Sequence, residues 1–368
     1  MITLFCIRPK GFNVGNDAIY LGMQHFIYEA FGELVNLITL PATSRYESQA
    51  KAGLTARTIH EINQYGHGVI VGGGNLYENG ELEVNVDALE TLEPPLLLFS
   101  LSRGRIYNRQ GKLVDRTDAM PERIIRALDR KASGALARDE ATAAYLRQIG
   151  CQHTAVGGCP TVFLDRMVGR LPRLPLSKRG FALVSIRNPA LMSIPLWRQS
   201  QVHNDVVSMI RFLRDAGHQD VRLLCHDHRD LPFAASFPGV DYIYTGDVHT
   251  YLAVLRSCSI NITYRLHAFL PCVAFGVPAI KISYDERALS LIETAGLGSW
   301  NIDMVQSSDL RAEIANRYGR LDELQSLREQ AQERWHGLYA RMDKAFHEFA
   351  SRVRAYEEGA WTHAPAMK

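Results

Sequence analysis

The sequence has 368 residues, of which 46% are apolar and 22% charged, with a net charge of +2 at neutral pH. That length exceeds one typical core, so two units of roughly 150 to 180 residues are expected. A nearly neutral chain is not marked by its overall charge as a binder of polyanions, and no nucleic-acid partner is expected. No apolar run approaches the ~20 residues that cross a bilayer. The first residues, M-I-T-L-F-C-I-R-P, are too short for a secretory leader and lack a cleavage site. The six cysteines, Cys6, Cys151, Cys159, Cys225, Cys258 and Cys272, form no C-x-x-C pair, and several sit in apolar runs as buried thiols would. The expectation is a reduced, cytoplasmic protein with no metal; whether it forms a homo-oligomer is left open.

Strand-like and helix-like segments alternate from the start. Residues 2–7 form a short apolar run, 18–31 a helix, 35–40 a strand and 52–65 a helix. H-G-V-I-V-G-G-G follows as a buried strand ending in three glycines. Residues 96–100 form the next strand, 121–130 and 141–149 are helical, and 154–156 is a short strand. Such a rhythm predicts a parallel sheet covered by helices, here over residues 1–168. G-R-L-P-R-L-P-L-S-K-R-G at 169–180, with two prolines, a serine and four basic residues, reads as a linker.

The rhythm restarts over 181–320. Strands are predicted at 181–186, 221–225, 260–263 and 279–282, and helices at 202–216, 247–256 (with Asp247 as N-cap) and 268–275. Residues 321–358 carry apolar side chains at spacings of three and four (Leu324, Leu327, Ala331, Trp335, Leu338, Met342, Phe346, Phe349). They predict one long amphipathic helix that packs its apolar face, its polar face mixing both charge signs. The fold class is therefore α/β: two Rossmann-like parallel-sheet domains facing across a cleft, with a long C-terminal helix.

Ligands of open parallel sheets bind off the carboxyl ends of the strands. Those ends carry Arg103, Arg105, Arg138, Arg187, Arg229 and Arg265. Arginine forks and free backbone N–H groups suit phosphate and carboxylate, so the expected ligand is a small organic anion or a phosphorylated donor. Asn13-Val14-Gly15-Asn16-Asp17 either cradles an anion at a helix start or is a turn and cap. It matches neither the P-loop nor the dinucleotide fingerprint. The Gly72-Gly73-Gly74 run allows close backbone approach to a ligand, or a sharp turn. His226-Asp227-His228 has two histidines but no identifiable third metal ligand, and reads as a polar loop in the cleft. Arg265 and His267 fall where a strand gives way to a helix. On spacing alone they are either a proton donor with its anion fork or a satisfied core pair.

The order of motifs adds a resemblance. N-x-G-x-D-A-I (13–19), V-G-G-G-N-L (71–76), A-R-D-E-A-T-A-A-Y-L-R-Q-I-G (137–150), R-L-H-A-x-L-P-x-V-A-F-G-V-P-A-I (265–280) and I-S-Y-D-E-R (282–287) occur in series. This series resembles the polysaccharide pyruvyltransferase family over nearly the whole chain. The resemblance implies a fold similar to GT-B glycosyltransferases, with the acceptor on the first domain and the donor on the second. It implies transfer of a pyruvyl group from phosphoenolpyruvate, the co-substrate, to hydroxyls of a sugar or related polyol, forming a ketal with no further cofactor. Arg265 and His267 match the family's donor-binding pair, and Arg138 its upstream arginine. Departures lie in the first domain: Asn16 replaces a common aspartate with Asp17 following it, Cys159-Pro160 stands for Asp-Pro, and Ser102-Arg103-Gly104 for a more Gly/Pro-like loop.

The donor's carboxylate and phosphate are expected to meet Arg138 and Arg265, with Arg187, Arg229 and His226 near. His267, held charged by the phosphate, would be the acid. Asn13, Gly15, Asp17, Gly73 and Asn75 would bind substrate from the first domain, Asp17 or Asp139 orienting a hydroxyl, although Asp139 is better placed as a helix cap. Two alternatives are a glycosyltransferase using a nucleotide sugar, for which Glu286 would have to hold the ribose, and a non-catalytic anion-binding protein.

Overall fold

The structure is a computed structural model that describes residues 1–32, 34–45, 51–152, 154–175 and 179–362. Six strands of the first half pair in parallel: β1 (Thr3–Arg8), β2 (Asn36–Pro41), β3 (Gly68–Gly74), β4 (Leu96–Leu101), β7 (Gly134–Ala137) and β8 (Thr154–Val156), in the order β2-β1-β3-β4-β7-β8. Between β4 and β7 lies a small antiparallel hairpin, β5 (Ile106–Tyr107) with β6 (Leu113–Val114). The second half repeats the plan with β9 (Ala182–Ser185), β10 (Val221–Cys225), β11 (Tyr242–Tyr244), β12 (Ile260–Thr263), β13 (Ala279–Ser283) and β14 (Ile302–Asp303). Their order is β11-β10-β9-β12-β13-β14, again all parallel.

Sequence chemistry explains the arrangement. Central strands β3, β4, β12 and β13 are buried along their whole length, as continuous apolar runs covered on both faces must be. Edge strands β2 and β11 keep partly exposed residues. Helices start at side chains that accept from their first turns, among them Asn13, Asp139, Asp247 and Asp285. At the end of β4 the register with β7 shifts between Phe99 and Leu101, and Ser100 takes φ +54°. That bulge re-aims the following loop, Ser102 to Arg105, toward the second sheet.

One apolar cluster covers the outer face of each sheet, and a third fills the middle of the molecule. The middle cluster joins the halves. It gathers helix Val14–Phe31, the 3-10 helix Pro160–Arg170, helix Leu266–Ala274 and the C-terminal helix. The C-terminal chain is two helices, Leu321–Gln330 and Gln332–Thr362, rather than the single one expected; the break at Ala331 lies where the chain docks on residues 293–296. Beyond the break the chain returns to the first sheet, where Phe346 stacks on Phe26 at 5.8 Å and meets Phe99 at 4.9 Å. All eight apolar positions that defined the periodicity except Leu327 are buried. Of the expected linker, residues 176–178 lie outside the described residues.

Polar contacts hold the two halves face to face. Glu286 accepts from the Arg105 backbone N (2.8 Å) and Nε (2.7 Å). Tyr107 donates to Asp303, and Gln306 Nε2 to Gly111 O (2.7 Å). The start of helix Glu140–Gln148 is capped across the cleft: Glu140 N donates to Thr294 Oγ1 (3.1 Å) and Ala141 N to Ser290 Oγ (3.0 Å). Among the described residues, no helix is long and apolar enough to cross a membrane.

Candidate active site

The chain leaves β12 at Thr263, whose Oγ1 accepts from Arg265 N at 2.8 Å. Arg265 then caps a helix that begins at Leu266, two residues earlier than expected. Its side chain is buried and turned into the second domain. Nε donates to Ile186 O (2.9 Å) and Nη2 to Asp230 Oδ2. His267 has bridge-region backbone angles, φ −85° and ψ 18°, inside the first helical turn. Its Nε2 is buried without a hydrogen-bond partner. Beneath it, Tyr251 donates its hydroxyl to His267 O (2.6 Å) and lies within 3.3 Å of both ring nitrogens of His226. With the Tyr251 proton so committed, the His226 ring acts as donor to the Tyr251 oxygen.

The opposite wall comes from the first sheet. Asn13 ends the β1 loop, Asn75 follows the glycines of β3, and Arg138 follows β7. Arg138 is 3% exposed, with its Nε buried and unbonded. Together with His226, Arg265 and His267 these residues line an inner cavity of about 100 Å³. An outer cavity of about 410 Å³ continues from it, sharing Asn13, Asn16, Asn75, Arg265, Tyr284 and Arg287, and reaching Arg187 and Arg229.

Electrostatics in the inner cavity are dominated by positive charge. Burial, then Arg138, Arg265, Arg287 and Lys281, push the His267 imidazole down to about 3. Burial, then Arg265, His267 and Arg187, hold His226 well below its usual value. Lys281, fully buried under the site, donates to Tyr264 O (3.1 Å) and Ile282 O, and burial lowers it to about 7. Among these neighbours His267 is held neutral at neutral pH. A buried N–H donor of arginine left without an acceptor is costly, as is a cluster of cations. Both costs fall when an anion enters.

The structure brings Asn13, Asn75, Arg138, Arg187, His226, Arg265 and His267 to these two cavities. Gly15, Asp17 and Gly73 are not among the lining residues, and each has another task. A Cβ on Gly15 would sit 3.0 Å from His267 Cβ and 3.2 Å from its Nδ1, so the glycine lets the first helix press against the histidine. Asp17 pairs with Arg8 at 2.8 Å. Gly73 has φ +77°, and a Cβ there would meet Ile19 Cγ2 at 2.4 Å, which makes the run a sharp turn against the first helix. The Asn13–Asp17 segment resolves as a cap. Gly15 N donates to Asn13 Oδ1 (3.0 Å), Asn16 N to Asn13 O (2.9 Å), and Val14 N crosses to His226 O (3.0 Å). Those N–H groups are spent inside the protein. Asp139, similarly, caps its helix through Thr142 N (2.9 Å). Among the described residues, no three His, Cys, Asp or Glu side chains gather as a metal-binding group.

Sequence reading missed Arg287. It follows β13 and lines both cavities, held by Asp285 on its own helix and by Glu78 of the first half (Nη1 to Oε1, 3.3 Å). Gly104 makes room for it: a Cβ there would lie 2.4 Å from Arg287 Cγ. The signal was available, because S-Y-D-E-R lies at a strand's carboxyl end. Glu286, the carboxylate a nucleotide-sugar enzyme would need, is engaged by Arg105.

Comparison with known proteins agrees with this architecture. Solved structures similar in fold over essentially the whole chain include the S. aureus MnaA-UDP co-structure (14% identity, 100% of this chain and 99% of that one, TM-score 0.55). A putative UDP-N-acetylglucosamine 2-epimerase from Listeria monocytogenes (11%, 100% and 98%, TM-score 0.55) is another. The UDP-GlcNAc 2-epimerase from Neisseria meningitidis bound to UDP-GlcNAc is a third (10%, 98% and 99%, TM-score 0.51). At these identities the likeness shows the fold, which is GT-B-like. No curated protein matches the chain. The family model described as Polysaccharide pyruvyl transferase matches residues 13–286, well over half of the 368. The chain belongs to the polysaccharide pyruvyl transferase family.

Proposed function

We propose that the chain transfers a pyruvyl group from phosphoenolpyruvate to two hydroxyls of a sugar-like acceptor, closing a ketal. The observation that supports it best is the inner cavity: unbonded Arg138 Nε and His267 Nε2, with Arg265 and Arg287, around about 100 Å³. That space is well below the ~300 Å³ at which drug-sized ligand pockets begin. It suits a small anion rather than a nucleotide, and the outer cavity of about 410 Å³ leaves room for a sugar. In this reading Arg138 and Arg287 bind carboxylate and phosphate as forks. Arg265, tied to Asp230 and Ile186, adds its charge while fixing the turn.

Burial and then the surrounding cations keep His267 neutral; so negative a donor offsets the cations, and in this reading the imidazole gains a proton as the site fills. His267 then protonates C3 of the enol as an acceptor hydroxyl attacks C2. The second hydroxyl displaces phosphate. Positive charge comes from side chains, and the reading calls for no cofactor. It is tested by thermal shift and phosphate release. Phosphoenolpyruvate should stabilise the chain, UDP should not, and inorganic phosphate should appear only when a diol acceptor is added. Stabilisation by UDP alone would overturn the assignment.

A further inference from the structure

We infer that Tyr251, working with Pro271, is the positioning residue that sets His267 for proton transfer; the inference rests on the pyruvyl-transfer reading. It begins with a defect in the helix Leu266–Ala274. In a regular α-helix the N–H of residue 271 would donate to the carbonyl of residue 267. Residue 271 is proline, which has no N–H, and a proline ring presses on the carbonyl four residues before it. That carbonyl belongs to His267. The backbone there leaves the helical region, at φ −85° and ψ 18°, and the carbonyl has no helical donor at residue 271.

A carbonyl left bare in a buried turn is costly. The helix Val248–Ser257 supplies the replacement. Tyr251, fully buried on it, donates its hydroxyl to His267 O at 2.6 Å. Asp247 caps that helix by accepting from Thr250 N (2.7 Å), one residue before the tyrosine. Burial raises the phenol well above its usual value, so the hydroxyl keeps its proton. His226 fixes the same oxygen from another side. Its ring stands edge-on to Tyr251 with centroids 4.9 Å apart, and both nitrogens lie within 3.3 Å of the hydroxyl. The hydroxyl therefore ties together two residues that line the inner cavity, and Tyr251 is not itself among the lining residues.

The contact matters because of what the imidazole lacks. His267 Nε2 has no hydrogen-bond partner, so that end of the ring is placed from its backbone and from the Gly15 wall it packs on. Bridge-region backbone is sparsely populated and persists where the surroundings over-determine it. Here Pro271 pushes the carbonyl out of the helix and Tyr251 holds it there. Without either, residue 267 relaxes toward helical angles and carries the imidazole with it. Tyr251 exchanges no proton with substrate; it acts through His267.

The test uses the full chain, phosphoenolpyruvate and a panel of methyl glycosides with free 4- and 6-hydroxyls. Tyr251→Phe keeps the ring and removes the donor. Its phosphate release at saturation should fall about tenfold or more, as for a reacting group displaced by a fraction of an ångström, with the KM for phosphoenolpyruvate unchanged. Pro271→Ala returns the missing N–H and lifts the ring from the carbonyl. It should unfold no more easily in urea and still turn over more slowly, which a merely structural proline would not do. In a His267→Gln chain, Tyr251→Phe should cost no further turnover, because the two changes act through one group. Should Tyr251→Phe fail to fold, Pro271→Ala decides. Normal turnover by either variant, a loss seen in KM alone, or an equal further loss in the His267→Gln chain overturns the role of Tyr251 while pyruvyl transfer stands. Absence of a phosphoenolpyruvate thermal shift and of phosphate release in the unaltered chain overturns both.

Discussion

Two strand-to-helix turns meet at the centre of the molecule, and they are built to opposite ends. The turn after β1 satisfies itself: Asn13 caps through its side chain and backbone, and Val14 N is spent on His226 O. The turn after β12 does not. Its N-cap Arg265 makes no side-chain cap, and His267 leaves Nε2 buried and unbonded. Gly15 presses one turn against the other. A finished wall thus holds an unfinished site in place. Buried polar groups without partners are rare enough in native folds that their gathering around one cavity points to a ligand.

The sharpest way to break this comparison lies inside the second turn. Arg265→Ala would take from the fully buried Asp230 its closest cation, leaving Asn188 N (3.0 Å) and Arg187 (3.6 Å) to hold it, so a loss of up to about 3 kcal/mol in stability is expected. Urea unfolding checks it. His267→Gln should instead keep the fold while turnover drops about 10²- to 10³-fold. If Arg265→Ala unfolds no more easily than His267→Gln, the division between a pinned arginine and a free histidine is wrong.

Much of this turn was legible in the sequence. Residues 154–156, 221–225 and 260–263 read as strands with the bounds that the structure has, because short β-branched or leucine-rich runs ended at clear turn residues. Strand β14 was missed: it has two residues, too few for a period. The break at Ala331 was invisible because an alanine there fits the helical spacing as well as a leucine would. Within the site, residue type gave Arg138, Arg265 and His267. It could not give their states. That Arg265 is tied to Asp230, 35 residues earlier, and that His267 is neutral among four cations, are products of packing.

Gly15→Ala sharpens the contact between the turns. Alanine is favoured over glycine in a helix by about 1 kcal/mol. Here its Cβ would crowd His267 at 3.0 Å, so the two effects oppose and net stability should change by less than about 1 kcal/mol. Displacing a reacting group by even an ångström can cost about 10²-fold. The expected result is a nearly normal melting temperature with turnover lowered by tens-fold. Normal turnover in Gly15→Ala would show that the first turn does not set the histidine.

Proton linkage tests the unfinished side. Burial and the neighbouring cations push His267 down to about 3, so it is neutral at pH 6 to 8. An anionic donor raises it, and a group whose pKa rises on binding takes up a proton as the complex forms. Affinity should therefore strengthen as pH falls from 8 toward 6, by at most about tenfold per unit for one proton. Calorimetric titration of phosphoenolpyruvate in two buffers of different ionisation enthalpy measures the uptake. His267→Gln should take up less, the remainder belonging to the donor's own phosphate. Equal uptake in both proteins would leave His267 neutral in the complex and remove it as the acid.

The smallest effect belongs to the finished wall. Asn13→Ala removes the acceptor for Gly15 N, and a lost N-cap costs about 1 kcal/mol. Asn13 also lines both cavities, so a purely structural part and a binding part can be told apart. If the side chain only caps, Asn13→Asp, which still accepts from Gly15 N, restores stability and turnover together. If Asn13 also meets the ligand through its amide, Asn13→Asp restores stability alone, since a carboxylate facing the bound anion repels it and donates nothing. The second outcome is expected, because the residue borders the arginine-lined space on the side where the first turn closes it.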